Sequence, residues 1–157
     1  MSNFTSLRPN YFDIDDIMAQ TQRVPCIFNI DVDGLGTDSM SESTTVSRNT
    51  RLALPFWMAD KLNEEEVVDM EAPKAFSKRA KRMFGASSVH VDMHNLCPYF
   101  YKLGGKIAEM DPELPDVLGG VFMERIQMLA DAAQRSHAQD VADFVSQLDE
   151  TEKKCKQ

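Results

Sequence analysis

One stripe of apolar residues at helical spacing constrains the fold of this chain more than any other feature. Successive members lie three or four residues apart, which keeps their side chains on one face of an α-helix. The stripe consists of Met93, Leu96, Phe100, Leu103, Ile107 and Met110. It predicts one long helix over residues 93–110, whose apolar face must be covered by several neighbouring elements.

Other helical patterns fill the rest of the chain after Pro73. Three more helices are predicted there, at residues 74–84, 118–135 and 141–148. Gly85 follows the first of them as a stop signal, and the Pro-containing segment 111–115 predicts a turn before the second. The charged tail at 150–156 is expected to fray.

The residues before Pro73 follow a different pattern. β-Branched and aromatic residues after Pro25 predict a strand, and the Gly-, Ser- and Thr-rich segment 33–50 predicts a mobile loop. The remaining predicted elements are a helix at 11–18, strands at 26–32, 51–54 and 67–70, and a helix at 55–62. We therefore expect an α+β, mostly α fold: a small N-terminal β-containing domain over 1–72, followed by a helical-bundle domain over 73–157.

Charge and cysteine content exclude several classes of protein. The 17 Lys and Arg residues face 25 Asp and Glu residues, and the net charge of −8 disfavours binding of a phosphate backbone by the whole chain. The three cysteines form no CxxC pair, so we expect free thiols in a reducing, intracellular compartment. The apolar runs are far shorter than the roughly 20 residues of a membrane span, and no secretory signal is visible.

Five cations cluster within the predicted helix 74–84. They are Lys74, Lys78, Arg79, Lys81 and Arg82. Such a cluster can bind phosphates, and a DNA-binding module acting through this helix is the alternative function for the chain. Because the chain as a whole is acidic, we favour the interpretation that this face is solvated or contacts an acidic partner.

Two segments resemble metal sites in part. Residues 31–42 carry acids where a calcium loop needs them, but Leu35 stands where an oxygen ligand belongs. His90, His94 and Cys97 would lie near one another on a helix, yet no fourth zinc ligand follows nearby. Since no nucleophile motif or phosphate-binding loop occurs either, we expect no metal, no cofactor and no catalytic residues.

Read in order, several blocks of the chain resemble subunit 3 of the GINS complex, in the partner-of-Sld-five family. The blocks are YFDIDDIM at 11–18, LALPFWMA at 52–59, VDMHNLCPYFY at 91–101, FMERI at 122–126 and VSQLDE at 145–150. The elements LxLPxW and HxxxPxFY are fairly specific for this family. Together the blocks cover most of residues 11–150.

The resemblance implies a B-type domain followed by an A-type domain in a non-catalytic scaffold subunit of a nuclear heterotetramer. Its expected partners are three other GINS subunits, the MCM hexamer, a RecJ-like helicase cofactor protein and, through the complex, the replicative polymerase. DNA contact is expected to be indirect or weak.

Large aromatic residues and one arginine are candidates for the partner interface, because aromatic side chains bury much area at modest entropy cost. Arg125 could add a bidentate hydrogen bond to a partner carboxylate. The predicted interface residues are Trp57, Leu96, Tyr99, Phe100, Tyr101, Phe122 and Arg125.

Overall fold

A computed structural model describes residues 12–34, 45–134 and 145–155 of the chain. They fall into two compact units, one formed by residues 20–73 and the other by residues from 74 onward together with the N-terminal residues before 20. We call them the sheet unit and the helical unit. Strands occur early and helices dominate later, which confirms the predicted α+β, mostly α class.

The sheet unit is built on a three-stranded antiparallel sheet. Strand β1 (Arg23–Phe28) lies at its centre, between β4 (Arg51–Pro55) and β5 (Val68–Met70). Side chains alternate along β1, so that Val24, Cys26 and Phe28 are all buried. Helix α2 (Phe56–Glu64) follows β4 directly. Its Ala59 contributes to the same apolar core as Cys26 and Phe28.

Two details of the sheet unit differ from the sequence prediction. β1 begins before Pro25, whose carbonyl accepts a bond of 2.8 Å from the amide of Glu71, and it ends at Phe28, not at residue 32. The predicted loop 33–50 has paired ends, because β2 (Val32–Asp33) and β3 (Thr45–Val46) form a short antiparallel ladder. Residues 35–44 lie outside the described part of the chain.

The helical unit contains a short 3₁₀ helix (Lys74–Phe76) and several α-helices. These are α1 (Ile14–Gln20), α3 (Lys78–Ala86), α4 (Met93–Leu96), α5 (Phe100–Ile107), α6 (Leu114–Gln134) and α7 (Glu150–Cys155). Phe100 lies at the centre of this unit, stacked on Phe76 at 5.0 Å and meeting Phe84 edge to face at 5.2 Å between ring centroids. No described helix is both long enough and apolar enough to cross a bilayer.

The predicted helix over 93–110 is broken in two. Pro98 restricts the residue before it to extended backbone, and Cys97 accordingly has φ −165° and ψ 108°. The apolar stripe survives the break: Met93, Phe100 and Ile107 are all buried. The predicted helix 74–84 is likewise interrupted, because the Ser77 side chain caps α3 by accepting a bond from the amide of Ala80.

The two ends of the chain also depart from the predictions. The tail expected to fray is helix α7, in which Glu152 is completely buried. Residues 141–144 of the predicted helix 141–148 lie outside the described part of the chain. Residues 12–19 were predicted to belong to the N-terminal domain, whereas the structure groups them with the helical unit. The reason is a set of ion pairs between α1 and lysines of that unit.

Candidate interaction surfaces

Helix α1 is held to the helical unit by its acidic side. Asp13 pairs with Lys102, and Asp16 lies 3.0 Å from the ammonium of Lys106. Asp15 pairs with Lys154 of α7, and its carboxylate is 3.9 Å from Lys102. The hydrogen bond from Lys102 is the main reason that the pKa of Asp13 falls below its usual value. These bonds anchor α1 through its charges.

The large apolar residues of α1 are turned outward, whereas its small Ala19 is buried. Ile14 is 73% exposed and Ile17 is 49% exposed, and the neighbouring Phe12 and Met18 are exposed as well. An ordinary surface helix buries its apolar side chains and leaves its charges in water. Because the isoleucines of α1 are left exposed, the helix presents apolar surface that a second molecule can bury. We call Ile14 and Ile17 the α1 apolar face.

A buried ion pair links α6 to α7. Arg125 and Glu152 have side chains that are 1% and 0% exposed, and they form two bonds, of 2.6 Å from Nε and 3.0 Å from Nη2. The remaining guanidinium nitrogen, Nη1, donates to the carbonyls of Ser88 at 2.9 Å and Val91 at 3.0 Å. The Tyr101 hydroxyl donates to Glu152 at 2.8 Å. A charge buried this completely is stable only when every polar atom has a partner.

Asp149 extends this network to the start of α5. Its carboxylate accepts bonds from the amides of Phe100 at 2.6 Å and Thr151 at 2.7 Å. The amide of Asp149 donates to Glu152 at 3.2 Å, which is the back-bond of a capping box, while the Asp149 carboxylate caps the amide of Thr151. Burial raises the pKa of Asp149 to about 6, an effect that these amide bonds partly oppose.

Sequence reasoning missed Asp149 and Glu152, although a signal was present. An Asp followed three residues later by a Glu is the pattern of a helix start. The high charge of residues 150–156 instead suggested a solvated tail. The partner that makes burial of Glu152 possible, Arg125, lies 27 residues away along the chain, which no local pattern indicates.

The structure places the predicted interface residues at three different depths. Trp57, in the sheet unit, is 49% exposed. Four others are half-buried: Leu96, Tyr99, Tyr101 and Phe122. Phe100 and Arg125 were expected at the surface, but both are buried inside the helical unit. Phe100 is surrounded by aromatic rings, and Arg125 is bonded to a carboxylate of its own chain, so neither side chain reaches a partner.

The predicted basic cluster divides into two parts. Lys81 is largely buried and pairs with Asp111, and it lies 3.6 Å from Glu113. The other four cations are exposed, and we call them the α3 basic surface: Lys74, Lys78, Arg79 and Arg82.

The metal-like residues serve structural roles where they are described. Asp92 caps α4 by accepting a bond from the amide of Asn95, and burial raises the pKa of Cys97 to about 11. In the calcium-like segment, Asp31 accepts from the amide of Arg48 at 2.6 Å. Within residues 12–34, 45–134 and 145–155, no three His, Cys, Asp or Glu side chains are grouped to hold a metal ion.

Comparison with known proteins places these surfaces in context. The family model described as PSF3 N-terminal domain matches residues 12–64. A protein of Debaryomyces hansenii is 31% identical over 155 residues, covering 92% of this chain and 88% of the relative. Its Aspergillus fumigatus counterpart is 31% identical, covering 92% and 86%. A protein of Xenopus laevis is 26% identical, and the match covers 92% of this chain and 72% of the relative. All three are named DNA replication complex GINS protein PSF3, which confirms the resemblance inferred from the sequence blocks.

Proposed function

Because this chain belongs to the PSF3 family of GINS proteins, we propose that it acts in DNA replication as a subunit of a GINS complex. Its relatives carry that complex in their names, and they match the chain over both of its units. The finer proposal is a nuclear, non-catalytic scaffold in a heterotetramer with three sister subunits. Through that tetramer the chain would join the MCM hexamer, a RecJ-like helicase cofactor and the replicative polymerase.

The observation that carries the scaffold proposal is the orientation of α1. Its acidic residues already have lysine partners within the chain, whereas the α1 apolar face is left in solvent. Burying an isoleucine contributes about 1–2 kcal/mol when half or more of its surface is removed from water. Ile14 and Ile17 together therefore offer about 2–4 kcal/mol to an association. A sister subunit that covers α1 would gain this energy.

The polar groups of the helical unit support a non-catalytic role. Glu152 and Arg125 satisfy each other, Asp149 binds backbone amides, and the Cys97 thiol has a pKa near 11 that makes it a weak nucleophile. Each of these groups is buried inside the helical unit. A compact helical unit with exposed isoleucines on α1 suits a subunit that contributes contacts.

The experiment compares assembly of two serine variants. The chain is co-expressed with three candidate sister subunits, and the amount of each subunit recovered on a tag carried by one sister is measured. The double variant Ile14→Ser, Ile17→Ser should reduce incorporation of this chain at least about tenfold, given the energy estimated above.

Ile30→Ser is the matched control, because Ile30 is 51% exposed but belongs to the sheet unit. It should assemble like the wild type. Normal assembly of the double variant would show that α1 is not an interface. Failure of the unaltered chain to assemble at all would contradict membership of the complex.

A further inference from the structure

The α3 basic surface is held in a fixed position by the buried side of its helix. Lys78, Arg79 and Arg82 lie on the solvent side of α3. On the opposite side, Phe84 is 3% exposed and packs edge to face on Phe100. The stripe of cations is therefore displayed by a helix that is anchored in the core of the helical unit.

Among the described residues, one member of the original cluster, Lys81, forms ion pairs with acids of its own chain. Lys81 turns toward Asp111 and Glu113, and the bond from Lys81 is the main cause of the lowered pKa of Asp111. Lys78 contributes to that lowering through space, as the smallest of the causes. Among the ion pairs of the described residues, none includes a cation of the α3 basic surface. Most of its charge remains available to another molecule.

The placement of these cations does not benefit the helix itself. Lys78 and Arg79 occupy the first turn of α3, which contains no acidic residue. The amino end of a helix carries a partial positive charge, so cations there are unfavourable. Cations that stabilise their own helix lie in its last turn, and the last turn of α3 contains no basic residue. Their position would be favourable if an external anion bound there.

Met83 indicates what kind of anion that is. This residue is 49% exposed and lies one helical turn after Arg79, so a flexible apolar side chain adjoins the cationic stripe. A thioether adds nothing to phosphate binding, but it can pack against an apolar side chain. Tight binding to DNA usually neutralises about 6–10 phosphates. Four cations on a chain of net charge −8 fall short of that number.

We propose that the α3 basic surface, with Met83, docks an acidic segment of a protein partner that also carries an apolar anchor. The carboxylates of that segment pair with Lys78, Arg79 and Arg82, and the anchor packs on Met83. Such complementarity provides specificity and fast association, with affinity that falls as salt is added.

The test measures binding of two labelled probes to the assembled four-subunit complex, and to that extent it rests on the proposed function. One probe is a peptide of alternating glutamate and leucine pairs, and the other is a DNA duplex. The variant Lys78→Glu, Arg79→Glu, Arg82→Glu should lower peptide affinity about tenfold or more at low salt, because exposed ion pairs are individually weak but additive here.

The matched control reverses three exposed cations of the sheet unit, Arg23, Arg48 and Lys61, to glutamate. It changes the net charge equally and should keep peptide affinity within about threefold. Met83→Ser should weaken binding of the glutamate–leucine peptide and leave binding of a polyglutamate peptide unchanged. These two comparisons separate a docking surface from a general charge effect.

Several results would overturn the proposal. One is an equal loss of peptide affinity in the reversal variant and its control, and another is that the unaltered complex binds no peptide. A third is a loss of affinity confined to the DNA probe, which would identify a nucleic-acid surface. Assembly that fails only in the α3 variant would support it and locate the acidic segment in a sister subunit. If even the unaltered chain forms no complex, the proposed function has failed separately, and the same titrations are made with the isolated chain.

Discussion

Replacing Arg125 by methionine tests how far the buried ion pair holds α7 in place. Among the described residues, the change leaves the Glu152 carboxylate, which is 0% exposed, with bonds from Tyr101 and from the amide of Asp149. It also removes the donor that serves the carbonyls of Ser88 and Val91. Breaking one partner of a buried pair costs about 3–5 kcal/mol, because the other charge stays in the interior without compensation.

Hydrogen exchange of the α7 amides in the assembled complex measures this cost locally. The amide of Glu150 is a suitable reporter, because it donates to the carbonyl of Pro98 at 3.0 Å, a bond that is lost when α7 detaches. A loss of 3–5 kcal/mol predicts exchange at least roughly 100-fold faster in Arg125→Met. The double variant Arg125→Met, Glu152→Met should recover most of the protection, since it leaves no buried charge.

Lys153→Met is the matched control on the same helix. Lys153 pairs with Glu150 at 2.7 Å near the surface, and such a pair between residues three apart contributes about 0.5 kcal/mol or less. Exchange should therefore change by less than about threefold. If the exchange rate in Arg125→Met equals that in Lys153→Met, the ion pair does not hold α7 in place. The same conclusion follows if the double variant exchanges as fast as Arg125→Met.

Two further predictions concern the helical unit. In Gly104→Val the added Cβ would lie 2.9 Å from two Leu118 methyl carbons and 3.0 Å from a ring carbon of Phe76, so we expect a loss of about 1–3 kcal/mol in thermal unfolding. Gly120→Ala, in open space on α6, should instead stabilise by up to about 1 kcal/mol. Because burial raises the pKa of Asp149 to about 6 from 3.8, its contribution to stability is complete below pH 3.8 and is lost as the pH rises through 6. When the pH is lowered from 7 to 5, the free energy of urea unfolding should rise by about 1 kcal/mol more in the wild type than in Asp149→Asn. A difference between the two unfolding free energies that does not change with pH would contradict this.

Apolar periodicity predicted which residues of the helical unit are buried, but not where its helices end. Phe100, Leu103 and Ile107 lie in the core as their spacing indicates. The break between α4 and α5 is set by backbone sterics at Pro98, to which the spacing of apolar side chains is insensitive.

Contacts between distant residues limited the prediction of the candidate site. The acids of α1 indicated a helix start, yet their partners are remote: Asp13 and Lys102 are 89 residues apart. For the same reason Arg125 was assigned to an interface, although its carboxylate partner lies in this chain. Charge patterns show that a residue needs a partner, and only the fold shows where that partner is.

Native mass spectrometry of the chain purified with three candidate GINS sisters tests the central claim most directly. We expect one dominant species containing a single copy of each subunit, which is strongly reduced when Ile14 and Ile17 are both serine and persists when only Ile30 is changed. A chain that remains a soluble monomer in the presence of all three sisters would contradict it.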